Sequence, residues 1–445
     1  MKSLLFTLFL LVSISLFSQT KIAIIGGGIA GIASAYYLHE FDPEAQITIF
    51  EKESQLGGNA QTITVKNSQN EDVMIDIGPQ FFTKGPWNDY IQFIEEAIGF
   101  ENLKTEKVYT SLVMEKRAEK KRLLITPLKT KLRREKLSNL LKLRKFNMAA
   151  YKVYRSPEKW IGKTTEEWVN ELDFENEYKT EIILPFLAAS LGTSITQVKS
   201  IAICELVNFF AFRKPKISNS FEIISSGMGV LLQGIGLKLV NSGVQIKNSS
   251  PVHSVAHDSS GYRLVYGQGE DIQDEPEVYD FLVMAIHPEA ATKLLSNDNE
   301  FDKMSMLLKD LPYFQVDIAL HRDKQFIHEQ DPSFLNIQTT FDNEVESHSM
   351  NLGMISDQYS GIYKSWVNNR QIEEIKANGK LFATATFWIN LVTPQVVLNL
   401  NQLKVEVGTF NSLAIIGGWS EGMETQNTAV KSALRSLESY KAFKK

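Results

Sequence analysis

The chain has 445 residues, 43% of them hydrophobic and 22% charged, a globular balance long enough for two or three domains. Its net charge of −5 provides no basic field for nucleic acid. A single cysteine, Cys204, excludes an intramolecular disulfide, and seven dispersed histidines offer no zinc-binding spacing.

At the N-terminus, Lys2 precedes an apolar run over 4–17. A membrane span needs about 20 apolar residues. The shorter run predicts a secretory signal over 1–18, with an uncleaved anchor as the alternative. Next, Lys21-Ile22-Ala23-Ile24-Ile25 has the short, β-branched pattern of a buried parallel strand. It leads directly into Gly26-Gly27-Gly28-Ile29-Ala30-Gly31, spaced G-x-G-x-x-G. Gly26 permits the tight turn, Gly28 lets a pyrophosphate approach the backbone, and Gly31 lets the next helix pack closely on the strand. That helix is predicted over 32–39, with its N-terminal N–H groups toward the phosphate. A second strand follows at 46–50. Glu51 ends it, where an acid accepts hydrogen bonds from the adenosine ribose and repels the 2′-phosphate of NADP. A glycine loop alone is weak evidence; strand, loop, helix, strand and acid in this order predict dinucleotide binding.

Beyond Glu51, Lys52-Glu53-Ser54-Gln55-Leu56-Gly57-Gly58-Asn59 resembles the second flavin motif of the amine oxidase, protoporphyrinogen oxidase and phytoene desaturase superfamily. In that superfamily a Gly-Gly pair after the acid brings backbone to the FAD diphosphate and ribityl chain. It usually carries Arg or His where Asn59 stands. Next, Met74-Ile75-Asp76-Ile77-Gly78-Pro79-Gln80-Phe81-Phe82 resembles the strand and turn along which family members pass the isoalloxazine ring. Read from turn chemistry alone, Gly78-Pro79 could equally be a surface turn. Ser226-Gly227-Met228-Gly229 opens a helix to Val240, followed by strands at 244–246, 251–255, 262–266 and 278–286. The resemblance implies that this is the second part of the FAD domain, with Val252 on the adenine side.

A final match covers Leu413-Ala414-Ile415-Ile416-Gly417-Gly418-Trp419-Ser420-Glu421-Gly422-Met423 and a helix over 425–441. The resemblance implies FAD contacts at Gly418, Trp419 and Met423, with the helix start facing the N1/O2 edge of the flavin, where a reduced flavin carries negative charge. Trp419 stands where the family more often has Asp or Glu. It likewise implies contacts from Gly26, Gly28, Ala30, Gly31, Glu51 and Lys52, from Gly57, Gly58 and Asn59, and from Gly78, Pro79, Gln80 and Phe81. Leu320-His321-Arg322-Asp323 resembles a subgroup of flavin amine-oxidoreductase-like proteins. The Gly418-Trp419-Ser420-Glu421-Gly422 stretch also fits G-x-S-x-G, but no histidine follows Ser420, so a hydrolase triad in the required order is excluded.

The expected fold is α/β, a Rossmann-like FAD-binding domain interleaved with an α+β substrate domain. The FAD domain takes 19–82, 221–290 and 406–445. The substrate domain takes a helical segment over 83–220, with helices at 87–98, 164–172 and 181–191, and a sheet segment over 291–405, with strands at 312–320, 336–340 and 381–389. Residues 115–145 hold 13 Lys or Arg against three acids, with interleaved leucines. A solvated helical face is one reading, and a basic amphipathic surface docking on anionic lipid is another.

The expected protein is an exported FAD-dependent oxidoreductase that passes a hydride from an amine or an apolar, unsaturated small molecule to flavin N5. A flavin-dependent isomerase and a non-catalytic flavin-binding protein are the alternatives. Hydride transfer from a neutral amine needs no acid–base side chain, so no catalytic residue is assigned. His287 and His321 could be bases or structural histidines. Trp366, Phe387, Trp388 and Trp419 could line a pocket or belong to the core. The sequence leaves the substrate, the electron acceptor and the oligomeric state open, and Cys204, in an apolar helix, offers no covalent link to the flavin.

Overall fold

The fold is described from a computed structural model. It covers residues 19–445 apart from 85–86, 120, 126–133, 212–219, 270–272, 275–276, 297 and 330–331. The expected signal over 1–18 lies outside the described residues.

The glycine-rich motif sits on a five-stranded parallel sheet. Its order is Leu413–Ile415, Phe281–Met284, Lys21–Ile25, Gln46–Phe50, Gln245–Lys247. All five strands run in one direction, so their C-terminal ends share one edge. Both faces of the sheet are covered, which is why its strands read as unbroken apolar runs. One face packs on helices Ile29–Phe41, Met228–Asn241 and Gln426–Phe443. The first and last of these helices come close enough for Ser34 and Ser436 to share a 2.7 Å hydrogen bond. The other face packs on helices Pro288–Leu295, Asp302–Lys309 and Pro394–Val407 and on the hairpin Val252–Asp258/Gly261–Tyr266.

A second sheet of seven strands runs Leu381–Asn390, Tyr313–His321, Tyr363–Trp366, Val345–Asn351, Leu335–Thr339, Leu112–Lys116, Lys121–Ile125. Only the pairing of Leu335–Thr339 with Leu112–Lys116 is parallel. The segment over 83–220, expected to be largely helical, is helical over most of its described length but also contributes strands. That segment supplies two strands of this sheet, and Thr105–Tyr109 pairs with Ser220–Ile224 in a separate ribbon. The basic stretch over 115–145 is likewise no single helix. It passes from the strands Leu112–Lys116 and Lys121–Ile125 to the helix Arg134–Arg155, with 126–133 outside the described residues. Leu112–Lys116 becomes a strand because Leu335–Thr339, more than 200 residues away, offers it a ladder, a case of tertiary context overriding local pattern. Helix Asn88–Ile98 of this segment packs with the parallel sheet's helices through Tyr90 and Phe93, and the later helices close around Trp168, Leu187, Leu206 and Phe146.

Candidate active site

The site forms at the shared C-terminal edge of the parallel sheet. Gly26 turns the chain at φ +105° and its N–H donates to Phe50 O at 2.8 Å. Helix Ile29–Phe41 begins one turn earlier than expected, at Ile29, with Gly28 as its N-cap. No side chain caps that end and no acid lies in its first turn, so its N–H groups and dipole are free to receive an anion. The Glu51 carboxylate is buried. It accepts hydrogen bonds from Gly27 N at 2.6 Å and Glu53 N at 2.8 Å, which ties the end of the second strand to the glycine loop.

The second motif closes over the first. Gly57 N donates to Gly27 O at 2.9 Å. Gly28 and Gly58 then face each other: a Cβ on Gly28 would meet only the Gly58 Cα, at 3.9 Å. This is a groove walled by two residues without side chains, and Gly58 and Asn59 stand exposed on it. From there the chain leads to the third motif. Gly78 lies directly on Asn59, since a Cβ at 78 would come within 1.9 Å of Asn59 O, and the Phe387 ring would meet the same Cβ at 3.3 Å. Phe81 stacks edge-on against Phe221 and Phe334, so this end of the groove is apolar. Val252 reaches the opposite end, because Ser250 N donates to Glu51 O and Ser249 N to Glu53 O, both at 2.8 Å. Ala30 and Gly31 are buried at the helix start, Lys52 and Pro79 are exposed, and Gln80 is buried.

The C-terminal motif approaches the same edge with a different presentation. Ile416 N donates to Met284 O at 2.9 Å and brings Gly417 and Gly418 beside the strand ends. The Trp419 indole turns back into the core, where Nε1 donates to Ile286 O at 3.2 Å. The Met423 side chain packs into the helical cluster, and its N–H donates to Glu205 at 3.3 Å. At these two positions the side chains are taken up by packing. Ser420 is buried, donating to Gly417 O and accepting from Arg435, which agrees with its exclusion as a nucleophile. Glu421 fixes the loop by pairing with Lys404, Lys431 and Arg435.

Sequence reading overlooked Lys364. It lies on Tyr363–Trp366 and is buried, with its ammonium donating to Asp76 O at 2.9 Å, Gly78 O at 2.6 Å and Gln80 Oε1 at 2.7 Å. Burial pushes the amine down to about 7, opposed by the charge of Asp76. Asp76 in turn receives Met228 N at 2.9 Å and Thr62 Oγ1 at 2.5 Å, and burial pushes its carboxyl upward. A lysine in a short strand reads as solvent-facing; the available signal was the aromatic company of Tyr363 and Trp366 in the same four-residue strand.

The two histidines behave as structural groups. His321 Nδ1 accepts Asp323 N at 3.0 Å and its Nε2 bonds Ser365 at 2.7 Å; burial pushes it down to about 4. His287 caps helix Pro288–Leu295, with its ring 4.2 Å from that of Tyr313, and burial lowers it too. The four aromatics do not form one cage. Trp366 stacks on His348 at 4.7 Å, Phe387 faces Gly78, Trp388 is exposed, and Trp419 is in the core.

The groove fits FAD: a bare glycine wall and an uncapped helix end suit the diphosphate, and apolar Phe81 and Phe387 suit a flat ring. Cyclohexylamine oxidase from Brevibacterium oxydans has a similar fold, with a TM-score of 0.61 over 95% of this chain and 100% of that one at 16% identity. Putrescine oxidase bound to putrescine matches with a TM-score of 0.61 over 95% and 99% at 15% identity. Coproporphyrinogen III oxidase of Staphylococcus aureus is 39% identical over 62 residues, and protoporphyrinogen oxidase of Saccharomyces cerevisiae is 29% identical over 62. Each of these two matches spans only 14% of this chain and 12% of the relative. The sequence pattern of the flavin containing amine oxidoreductase family matches residues 29–345, most of the chain. The chain therefore belongs to the flavin-containing amine oxidoreductase family and is an FAD-dependent oxidoreductase.

Proposed function

We propose that the protein oxidises an amine or an apolar, unsaturated small molecule held against the flavin at the Gly78–Phe81 end of the groove. The observation that carries this reading is the apolar wall there, where Phe387 meets Gly78 and Phe81 lies among Phe221 and Phe334. The amines in the names of the two structural neighbours support the amine branch. In this reading Gly26, Gly28, Gly31, Gly57 and Gly58 admit the diphosphate, Glu51 receives the ribose, and backbone at Gly418 and Met423 closes the far side. Bound FAD supplies the acceptor for a hydride from substrate. The aromatic side chains orient the substrate and exclude water, and no side chain is required to hold a proton.

Two further proposals concern location. Residues 1–18 direct export, and the mass of the mature N-terminus tests this. The basic stretch over 115–145 touches anionic lipid, and co-sedimentation with vesicles of anionic phospholipid tests that. Within it, Lys142 and Lys145 already pair with Glu175 and Asp173.

The central test is an absorbance spectrum of residues 19–445 before and after heat release. A flavin double band with released FAD, followed by turnover of an amine or an unsaturated apolar compound under air, supports the reading. Product mass separates oxidation from isomerisation. Failure to take up FAD overturns the reading.

A further inference from the structure

Lys364 is the one described lysine that places its ammonium wholly against the segment passing beneath the flavin end of the groove. Its three donors meet three oxygens, Asp76 O, Gly78 O and Gln80 Oε1, within a five-residue stretch. The lysine belongs to the seven-stranded sheet, paired with Leu320 on one side and Met350 on the other. The stretch belongs to the FAD side: Asp76 holds the start of helix Met228–Asn241 through Met228 N, and Gly229 N donates to Thr62 Oγ1, which itself donates to Asp76. One buried amine thus joins the substrate sheet to the glycine turn and, through Asp76, to a helix of the parallel sheet.

We propose that Lys364 is a positioning residue that sets the Asp76–Phe81 turn against the flavin, so that the protonated amine and the bound cofactor favour each other. This rests on the proposed groove. A tripod of short bonds to two backbone carbonyls and one side-chain amide oxygen has little other use for a charge, since a buried cation unpaired with a carboxylate is costly unless its protons are fully used. Asp76 is the charged group that acts on it; the neighbouring faces otherwise present Leu320, Met350, Gln80 and the Trp366 ring at 5.8 Å. The amine lies low enough, at about 7, for ordinary buffers to remove its proton. Because FAD is anionic and its ring edge rich in oxygen, binding favours the charged form. Affinity should then hold below pH 7 and fall as the pH rises through it.

The test is FAD affinity of the full mature chain, read by flavin fluorescence between pH 5.5 and 9 on the order of the window that the lowered amine sets. Lys364→Met should bind FAD about tenfold more weakly at pH 6 and lose the pH dependence. Gln80→Leu, which removes one acceptor and leaves the chain foldable should the methionine variant fail, should move the midpoint to lower pH. Wild-type affinity and an unchanged profile in Lys364→Met, or an unmoved midpoint in Gln80→Leu, overturn the inference while the flavin reading stands. A wild-type chain that binds no FAD at any pH overturns both.

Discussion

Two alanine substitutions three residues apart in the glycine loop should fail in different ways. At Gly31 an added Cβ would lie 1.9 Å from Gly26 O and 3.1 Å from its carbon. Gly26 cannot retreat easily, because its N–H is bonded to Phe50 O and Ala285 O crowds its other side. Forcing in a methyl group costs about 1–3 kcal/mol, and alanine's better helix propensity returns about 1 kcal/mol at most. Gly31→Ala should therefore lower stability of the cofactor-free protein by about 1–2 kcal/mol. At Gly28 the same methyl meets nothing nearer than Gly58 Cα at 3.9 Å, and the backbone, at φ −75°, suits any residue. Gly28→Ala should leave the cofactor-free protein as stable as wild type or up to about 1 kcal/mol more so. Its methyl stands in the groove assigned to the diphosphate, so FAD affinity should fall about a hundredfold, close to 3 kcal/mol. Thermal unfolding without FAD and a fluorescence titration with it separate the two effects. Wild-type FAD affinity in Gly28→Ala would refute the placement of the diphosphate; wild-type stability in Gly31→Ala would refute the steric argument.

Glu51→Ala removes the acceptor of two short bonds from Gly27 and Glu53, each worth about 1.5–3 kcal/mol, and should lower both the unfolding temperature and FAD affinity; a variant that melts like wild type contradicts this. Trp419→Phe loses the bond to Ile286 O and should destabilise by about 1–3 kcal/mol, yet keep FAD affinity within about threefold, because the indole faces the core; a large loss of affinity would restore the indole as a cofactor contact. Glu424 is pushed up to about 7 by burial, from an ordinary 4.5, and its Oε1 has no partner. The folded protein then holds a proton that the unfolded chain has already lost, so stability should fall as pH rises from about 4.5 and level off above 7. Glu424→Gln should abolish that fall, a gain of about 3 kcal/mol at pH 8, checked by urea unfolding at several pH values.

The sequence made the glycine loop legible because its rules are local. A buried strand, a bare backbone and a terminal acid must follow one another within a few dozen residues, and Gly26 to Glu51 do. The same holds for Gly57-Gly58, whose absent side chains are themselves the signal. What escaped was set by partners distant in the chain. Leu112–Lys116 and Lys121–Ile125 carry cations among leucines and resemble an amphipathic helix, until a strand from residues 335–339 pairs with the first of them and the second folds back on it. Lys364 resembles any surface lysine until the 76–80 turn is placed over it. Trp419 and Met423 were legible as positions but not as orientations: the motif places their backbone, whereas packing against Ile286 and the helical cluster decides where their side chains go.

A groove whose shape does not depend on its cofactor must be held by bonds within the protein. The bonds here meet that condition. Glu51 is held by Gly27 and Glu53, Gly57 by Gly27, the 76–80 turn by Lys364, and the C-terminal loop by Glu421 with its three cations. Every one of these contacts is made within the protein, so the glycine wall and the uncapped helix end are braced by the chain itself. Binding then orders little backbone, and less of the interaction energy is lost to ordering. Lys364, Glu421 and Arg435 fix the backbone by bonds within the protein, and the surface proposed for the ligand is made mainly of glycine, N–H groups and aromatic rings, with Glu51 as the acid assigned to the ribose.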